Sequence, residues 1–256
     1  MMERLLNVSD VLKLYKDEAK ALRVIEKNGA FFPVLKTPML AGLVADLMAD
    51  GHLQGEPHWR IDYTSKSLPE LERFGDTVEA VFGMRGRARP CNTNAFGKTY
   101  NYGVNCKLLS KIMYLAGAPI GRKTSSNFSI PDWIYNDRKL FATFCRRLFS
   151  CEASVNAEDP VIKIEMWKDS KIMWDDKFLP GVKMGMEKHF GIVTTRIFTV
   201  KSENKHKDGT VTKPMRLLVR RRESILKFNK YIGFDDINKQ NKLNQIVERE
   251  ANVAET

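Results

Sequence analysis

The order of apolar and polar positions along the chain separates into stretches with a helical period and stretches that alternate. Ser9 to Lys27 has helical spacing, with Ser9 as the expected N-cap and Gly29 just past the end. Thr37 and Pro38 supply a cap and first position for a helix running to Asp50, with Gly51 as its stop. Within it Ala41, Ala45 and Ala49 recur every fourth residue, a stripe that either packs in a core or lets a second helix come close. His58 to Lys66 alternates: Trp59, Ile61 and Tyr63 point one way, and His58, Arg60, Asp62 and Thr64 the other. That predicts a strand with one face on the core and one polar face turned to solvent or ligand. Leu68 to Phe82 returns to helical spacing, MRGRARPCN places Arg85, Arg87 and Arg89 on one face of a strand, and KTYNYGVNC predicts another. Lys107 to Leu115 closes the first half as a helix stopped by Gly117, so this half reads helix, two strands, helix, two strands, helix.

After a Gly-, Ser- and Pro-rich link, GAPIGRKTSSNFSIP, the order starts again. Arg138 to Glu152 predicts a helix, Val161 to Lys168 a strand and Phe178 to Phe190 a helix. Val193 to Lys201 and Thr210 to Arg220 predict a hairpin around KHKDG, and Glu223 to Ile232 a helix stopped by Gly233. The ends of the halves also match, GVNCKLLSKIMYLAG against VRRRESILKFNKYIG, which a duplicated unit explains. Asp235 to Glu250 is expected as a final, mostly exposed helix. The domain reading is a helical extension at 1–36, a first half at 37–117, a link at 118–136, a second half at 137–234, and a terminal helix and tail at 235–256.

Charge adds a partner to this picture. Forty-two basic and thirty-one acidic residues give +11. No acid occurs from Ala80 to Pro131, where there are eight cations, and from Arg196 to Lys230 eleven cations face three acids. One-signed blocks create a field that attracts a polyanion, so nucleic acid is the expected partner. Four cysteines without a CxxC pair and four scattered histidines argue against a structural zinc site. The start lacks a signal-peptide apolar region and no run of 18 apolar residues exists, so an intracellular protein with no membrane partner is expected.

Two apolar helical runs end in an acid: LVADLMADG on Asp50, and CRRLFSCEA on Glu152 in the second half. A carboxylate there faces unpaired carbonyls at the negative end of the helix and is badly placed without a cation. Its occurrence twice suggests a shared metal site. Paired carboxylates beside basic sheets suit metal-dependent phosphodiester hydrolysis, and all-oxygen ligands suit Mg2+, with Mn2+ as a substitute.

LVADLMADG and CRRLFSCEA, with IPDWI upstream of the second, resemble the two motif helices of the LAGLIDADG homing endonucleases. YNYGVNCKLLSKIMYLAGAPIGRK and LLVRRRESILKFNKYIGF extend the likeness to about Pro38–Asn244. The resemblance is to the single-chain, two-motif type, as in archaeal intron-encoded members. It implies an α+β fold of two pseudo-symmetric αββαββα halves, each with an antiparallel sheet forming a DNA-binding saddle, joined at two packed motif helices. It further implies a monomer that cuts both strands of a long, nearly asymmetric duplex site to leave 3′ overhangs. An RNA maturase acting on intron RNA, or a non-catalytic binding regulator, is the alternative on the same scaffold.

By the same resemblance Asp50 and Glu152 are the metal-binding acids, joined by the backbone of Gly51 and Cys151. The family also places a basic residue beside each scissile phosphate. Lys66 and Lys168 each follow the motif acid by 16 residues, but parity disagrees in the second half, which leaves Lys168 or Lys171. Arg147 stands where the motif has a small residue and Ala153 where the first copy has Gly51, so a rotated helix or a one-residue shift is expected. DNA contacts are expected from His58, Arg60, Asp62, Thr64, Arg85, Arg87 and Arg89 in one half. In the other they are expected from Lys163, Glu165, Arg196 and Arg216, with Arg220 either on phosphate or as a helix-entry charge.

Overall fold

The computed structural model describes residues 3–91 and 97–254; positions 1–2, 92–96 and 255–256 lie outside the described residues, among them Asn92 at the end of the expected MRGRARPCN strand. The chain divides into two units, Met1–Gly121 and Arg122–Thr256.

The first unit opens with β1 (Arg4–Leu6), α1 (Val8–Leu12), α2 (Glu18–Lys27) and β2 (Val34–Leu35), the two strands pairing antiparallel. One helix from Ser9 was expected, and two form, because local side chains cap two separate starts. The Asn7 N–H donates to Asp10 Oδ2 at 2.8 Å, and Asp17 Oδ1 accepts from the Lys20 N–H at 2.9 Å. The segment is no loose appendage: Val11 and Ala21 are fully buried, and Phe31 meets Phe82 edge to face at 5.6 Å.

There follow α3 (Pro38–Met48), β3 (Gly51–Gln54), β4 (Arg60–Ser65), α4 (Leu68–Phe82), β5 (Arg87–Pro90), β6 (Tyr100–Val104) and α5 (Lys107–Leu115). The strands form an antiparallel sheet in the order β3-β4-β6-β5. Its inner face carries Leu53, Ile61, Tyr63, Tyr102 and Val104, all buried. The α4 ring of Phe74 stacks on Tyr63 at 4.6 Å and meets Tyr102 edge-on at 5.8 Å. Thr37 Oγ1 caps α3 by accepting from the Leu40 N–H at 3.1 Å, and Gly83, at φ 63°, ends α4 in the left-handed region.

The second unit repeats the order. It runs α6 (Asp132–Tyr135), α7 (Arg138–Glu152), β7 (Ala153–Asn156), β8 (Val161–Asp169), α8 (Phe178–Phe190), β9 (Phe198–Thr199), β10 (Asn204–Lys205), β11 (Val211–Val219), α9 (Arg222–Tyr231) and α10 (Ile237–Ala254). Asp137 caps α7 by accepting from the Lys139 and Leu140 N–H groups. The sheet runs β10-β11-β8-β7, with β9 also on β11. The expected strand Val193–Lys201 is largely irregular: only β9 is regular, and Thr195 meets Leu218 through N–H to O at 2.9 Å and Oγ1 to N–H at 3.1 Å.

Two further expectations change. The terminal helix is anchored, with Leu243 and Ile246 fully buried and Arg249 donating to Ala157 O at 2.8 Å. The register of β8 puts Ile162, Ile164, Met166 and Lys168 on the buried face. No helix among the described residues is long and apolar enough to cross a membrane.

Candidate nucleic-acid interface

In the first unit the motif helix α3 stops at Met48, and Asp50 is exposed in the turn before β3. The chain then folds straight back on the helix. A Cβ on Gly51 would lie 2.8 Å from Leu47 Cα and 2.9 Å from Asp46 O, so this position admits only glycine without rearrangement. In the second unit α7 runs to Glu152 itself, and Ala153 begins β7 in extended conformation at φ −95°, ψ 156°. Helix and strand abut there without the tight return, which accounts for Ala153 where the first copy has glycine. Arg147, the other departure, forms an ion pair with Asp235 at 3.0 Å within its own unit.

Asp46, inside the first motif, is fully buried and bound by both Arg73 Nη atoms at 2.9 and 2.8 Å. Arg73 also reaches Glu70 at 2.9 Å and the Tyr63 hydroxyl at 3.3 Å. Burial opposes the charge on Arg73, but the Asp46 carboxylate overrides it, and its pKa is raised.

The outward face of the first sheet is polar. Registration places His52 opposite Asp62, Gln54 opposite Arg60, Thr64 opposite Asn101, and Arg87 and Arg89 opposite Gly103 and Asn101. Arg60 Nη2 donates to Asp62 Oδ1 at 2.5 Å, and Asn101 Nδ2 to Thr64 Oγ1 at 3.3 Å. Arg60, Asp62, Thr64, Arg87 and Arg89 therefore share the face expected from alternation. His58 does not: β4 begins at Arg60, and the preceding Trp59 is buried with φ 46°, leaving His58 exposed in the turn. Arg85 also falls outside the strand. It lies between α4 and β5, paired with Asp76 at 2.6 Å and Glu79 at 2.5 Å, and hydrogen bonding to Glu79 raises its pKa.

In the second sheet, β8 turns Lys163, Glu165 and Trp167 away from the core. Arg216 of β11 stands opposite Glu165 and donates to it at 2.5 Å, with Lys163 3.9 Å from the same oxygen. Arg196 is exposed in the irregular segment before β9. Arg220 is exposed just past β11 and borders a concavity of about 390 Å³ with Ser154, Asn156 and Lys163.

The two lysines at matching spacing have different surroundings. Lys66 is exposed immediately after β4. Lys168 is 1% exposed, 3.0 Å from the equally buried Asp176. It donates to Ser126 O at 2.9 Å and Lys123 O at 3.2 Å and lies over the Phe128 ring at 4.1 Å. Burial lowers its pKa against the pull of Asp176. Core parity carries this lysine inward, whereas Lys171, two residues past the strand, is exposed.

The cation that a carboxylate at a helix end requires is present at α7. Lys239 of α10 donates from Nζ to Ser150 O and, at 3.3 Å, to Cys151 O. The turn before α10 is stitched to the same place, since the Asp235 N–H donates to Ser150 Oγ at 2.8 Å. Sequence reading missed this residue because the contact spans 88 positions. It also missed β3 and β7, and with them His52, Gln54, Ser154 and Asn156. Each strand has only four residues and starts where the apolar helix pattern stops.

Among the described residues no group of three or more His, Cys, Asp or Glu side chains could cage a metal ion. The donors at the two helix ends are oxygens, a carboxylate in each unit with adjoining backbone carbonyls. Taken within its own unit, each end offers the hard oxygen donors that Mg2+ takes when most of its other ligands are water and substrate phosphate.

No family model matches the chain. A curated relative, glutamine–fructose-6-phosphate aminotransferase [isomerizing] of Methanocaldococcus jannaschii, is 25% identical over 223 residues, 87% of this chain but 18% of that protein. Full-length DUF199/WhiA from Thermatoga maritima superposes with a TM-score of 0.53 at 14% identity, over 83% of this chain and 60% of that one. The homing endonuclease I-WcaI, bound to its DNA recognition sequence, superposes with a TM-score of 0.51 at 12% identity, over 93% and 97% of the two chains. Two antiparallel sheets, each separated by at most two residues from the end of its motif helix, give this α+β chain the fold of the LAGLIDADG homing endonucleases.

Proposed function

We propose that the chain is a site-specific DNA endonuclease that hydrolyses phosphodiesters in both strands of a long, nearly asymmetric duplex, leaving 3′ overhangs. One observation carries this reading. In each unit a carboxylate stands between the motif helix and a sheet with a polar outer face: Asp50 in the two-residue turn that leads from α3 to Gly51, and Glu152 as the last residue of α7, directly before Ala153. The likeness to I-WcaI, a homing endonuclease seen with its DNA recognition sequence, supports duplex DNA as the partner. The groups proposed to hold Mg2+ or Mn2+ are, unit by unit, Asp50 with the Gly51 carbonyl, and Glu152, beside which Lys239 already donates to the Cys151 carbonyl. When bound, such an ion neutralises charge on the scissile phosphate and lowers the pKa of a coordinated water. Lys66 in the first unit, and the exposed Lys171 in place of the buried Lys168 in the second, are the cations proposed beside phosphate. Lys239 holds positive charge at the α7 end. Arg60, Thr64, Arg87 and Arg89, with Lys163 and Arg216, are the side chains proposed to meet base edges and phosphates.

The test begins with selection of cleaved duplexes from a randomised library in Mg2+. On the recovered site, Asp50→Asn and Glu152→Gln are each expected to lower cleavage by about 10²-fold or more while duplex affinity changes little. Loss of binding in both, or full cleavage by both, would overturn the assignment. A second reading has one observation in its favour. Lys239 already balances the α7 terminus, so Glu152 by itself does not demand a metal ion, and a non-catalytic DNA regulator or an RNA maturase could keep it. Specific binding with no Mg2+-dependent nicking, or restored splicing of a candidate intron, would select that reading. The aminotransferase activity in the relative's name is not carried over, because the match spans 18% of that protein.

A further inference from the structure

A cavity of about 360 Å³ lies in the first unit, walled by the α1–α2 connection, the start of α2, the β3–β4 turn and the start of α5. Its charge is one-sided. Lys16, Lys20, Lys107 and Lys111 line it against Asp17 and Glu56, a surplus of two positive charges. One of the acids is committed elsewhere, since Asp17 caps α2 through the Lys20 N–H. The other sits where an anion would. Glu56, more than half exposed, lies 3.5 Å from Lys107 Nζ through one oxygen and 3.5 Å from Lys111 Nζ through the other.

Lys111 is a cation built into the floor. Its side chain is 1% exposed, its ammonium donates to Leu14 O at 2.6 Å, and it lies over the rings of Trp59 at 4.2 Å and Tyr15 at 4.6 Å. A buried ammonium facing one loose carboxylate leaves charge for an incoming anion to satisfy. The hydroxyl of Tyr15, a lining residue, is buried with no hydrogen-bond partner, a donor left over in the same wall. Leu14 and Val24 make the remainder of the wall apolar.

We propose that this cavity is a phosphate-binding subsite that takes the phosphate ester of a nucleotide, displacing Glu56 from Lys107 and Lys111. The lysines hold the phosphate, and the apolar wall and the Tyr15 ring receive the nucleoside. The phosphate comes either from a free nucleotide or from a nucleic-acid strand running past the β3–β4 turn. None of the lining side chains belongs to the polar strand face, so the subsite stands whether or not the chain cleaves DNA.

The experiment is calorimetric titration of the full chain with AMP and with inorganic phosphate, alongside duplex binding as a function of salt. If the source is a free nucleotide, AMP binds saturably, phosphate competes, and Lys20→Gln/Lys107→Gln weakens AMP at least about tenfold. In that case Glu56→Gln tightens it, because the competing carboxylate is gone. If the source is a strand, AMP does not bind, but Lys20→Gln/Lys107→Gln lowers the salt slope of duplex affinity by about two. Absence of saturable AMP and phosphate binding to about 10 mM, together with an unchanged duplex slope in the double variant, overturns the proposal.

Discussion

At the scale of single residues, the two motif ends solve one problem in different ways. Gly51 is required because a Cβ there would lie 2.8 Å from Leu47, whereas Ala153 leaves its helix in an ordinary extended conformation. Gly51→Ala is therefore expected to cost about 1–3 kcal/mol through overpacking, and Ala153→Gly no more than about 1 kcal/mol. Urea midpoints compare them directly, and equal losses would mean that the close return at Gly51 carries no strain. Lys168 gives a second prediction, in pH. Burial lowers its pKa in the folded chain, so between that lowered value and the ordinary lysine value the unfolded chain binds the extra proton. Stability contributed by this site therefore rises with pH across that alkaline interval. Lys168→Met/Asp176→Leu should match or exceed wild-type stability at neutral pH, as buried pairs replaced by apolar groups often do, and lose its relative advantage on going alkaline. A gap between the two proteins that does not move with pH would show the lysine to be unperturbed.

At the scale of elements, the helices with clear caps and stops lie where spacing places them: α4, α5, α7 and α8 have the expected bounds. Misreadings fall where a few side chains decide. Asn7 and Asp17 split the first helix, and Trp59 at φ 46° delays β4, which moves His58 off the sheet. The helix α10, expected to be mostly exposed, buries Leu243 and Ile246 and places Lys239 on the α7 carbonyls. Lys239→Met should destabilise the second unit by about 1–3 kcal/mol, the range for losing charged hydrogen bonds to backbone. Leu243→Ala, a cavity mutation, should cost about 2–5 kcal/mol. Thermal unfolding of both variants distinguishes an anchored helix from a fraying one, in which neither change would register.

For the whole molecule, the proposed nucleic-acid partner would meet a charge of +11 whose basic surplus lies in two windows of the sequence. Duplex affinity is expected to fall steeply with salt, and Arg87→Gln/Arg89→Gln to reduce the logarithmic slope by about two if both guanidinium groups meet phosphate. A slope unchanged by that pair, with altered sequence preference, would assign them to base edges instead.

The sequence by itself determined the main helices of the two copies, the polar and apolar faces of β4 and β8, and the two acids that follow the apolar runs of the motif helices. These depend on neighbours three or four positions apart in a helix, or two apart in a strand, so spacing alone exposes them. Only the tertiary structure decided that Lys168 turns inward to Asp176, that Arg85 is taken by Asp76 and Glu79, and that Lys239 reaches the end of α7. A charged side chain declares its partner through distance in space, and here the partners stand between 6 and 89 residues away along the chain, or face each other across a loop whose course no local pattern dictates.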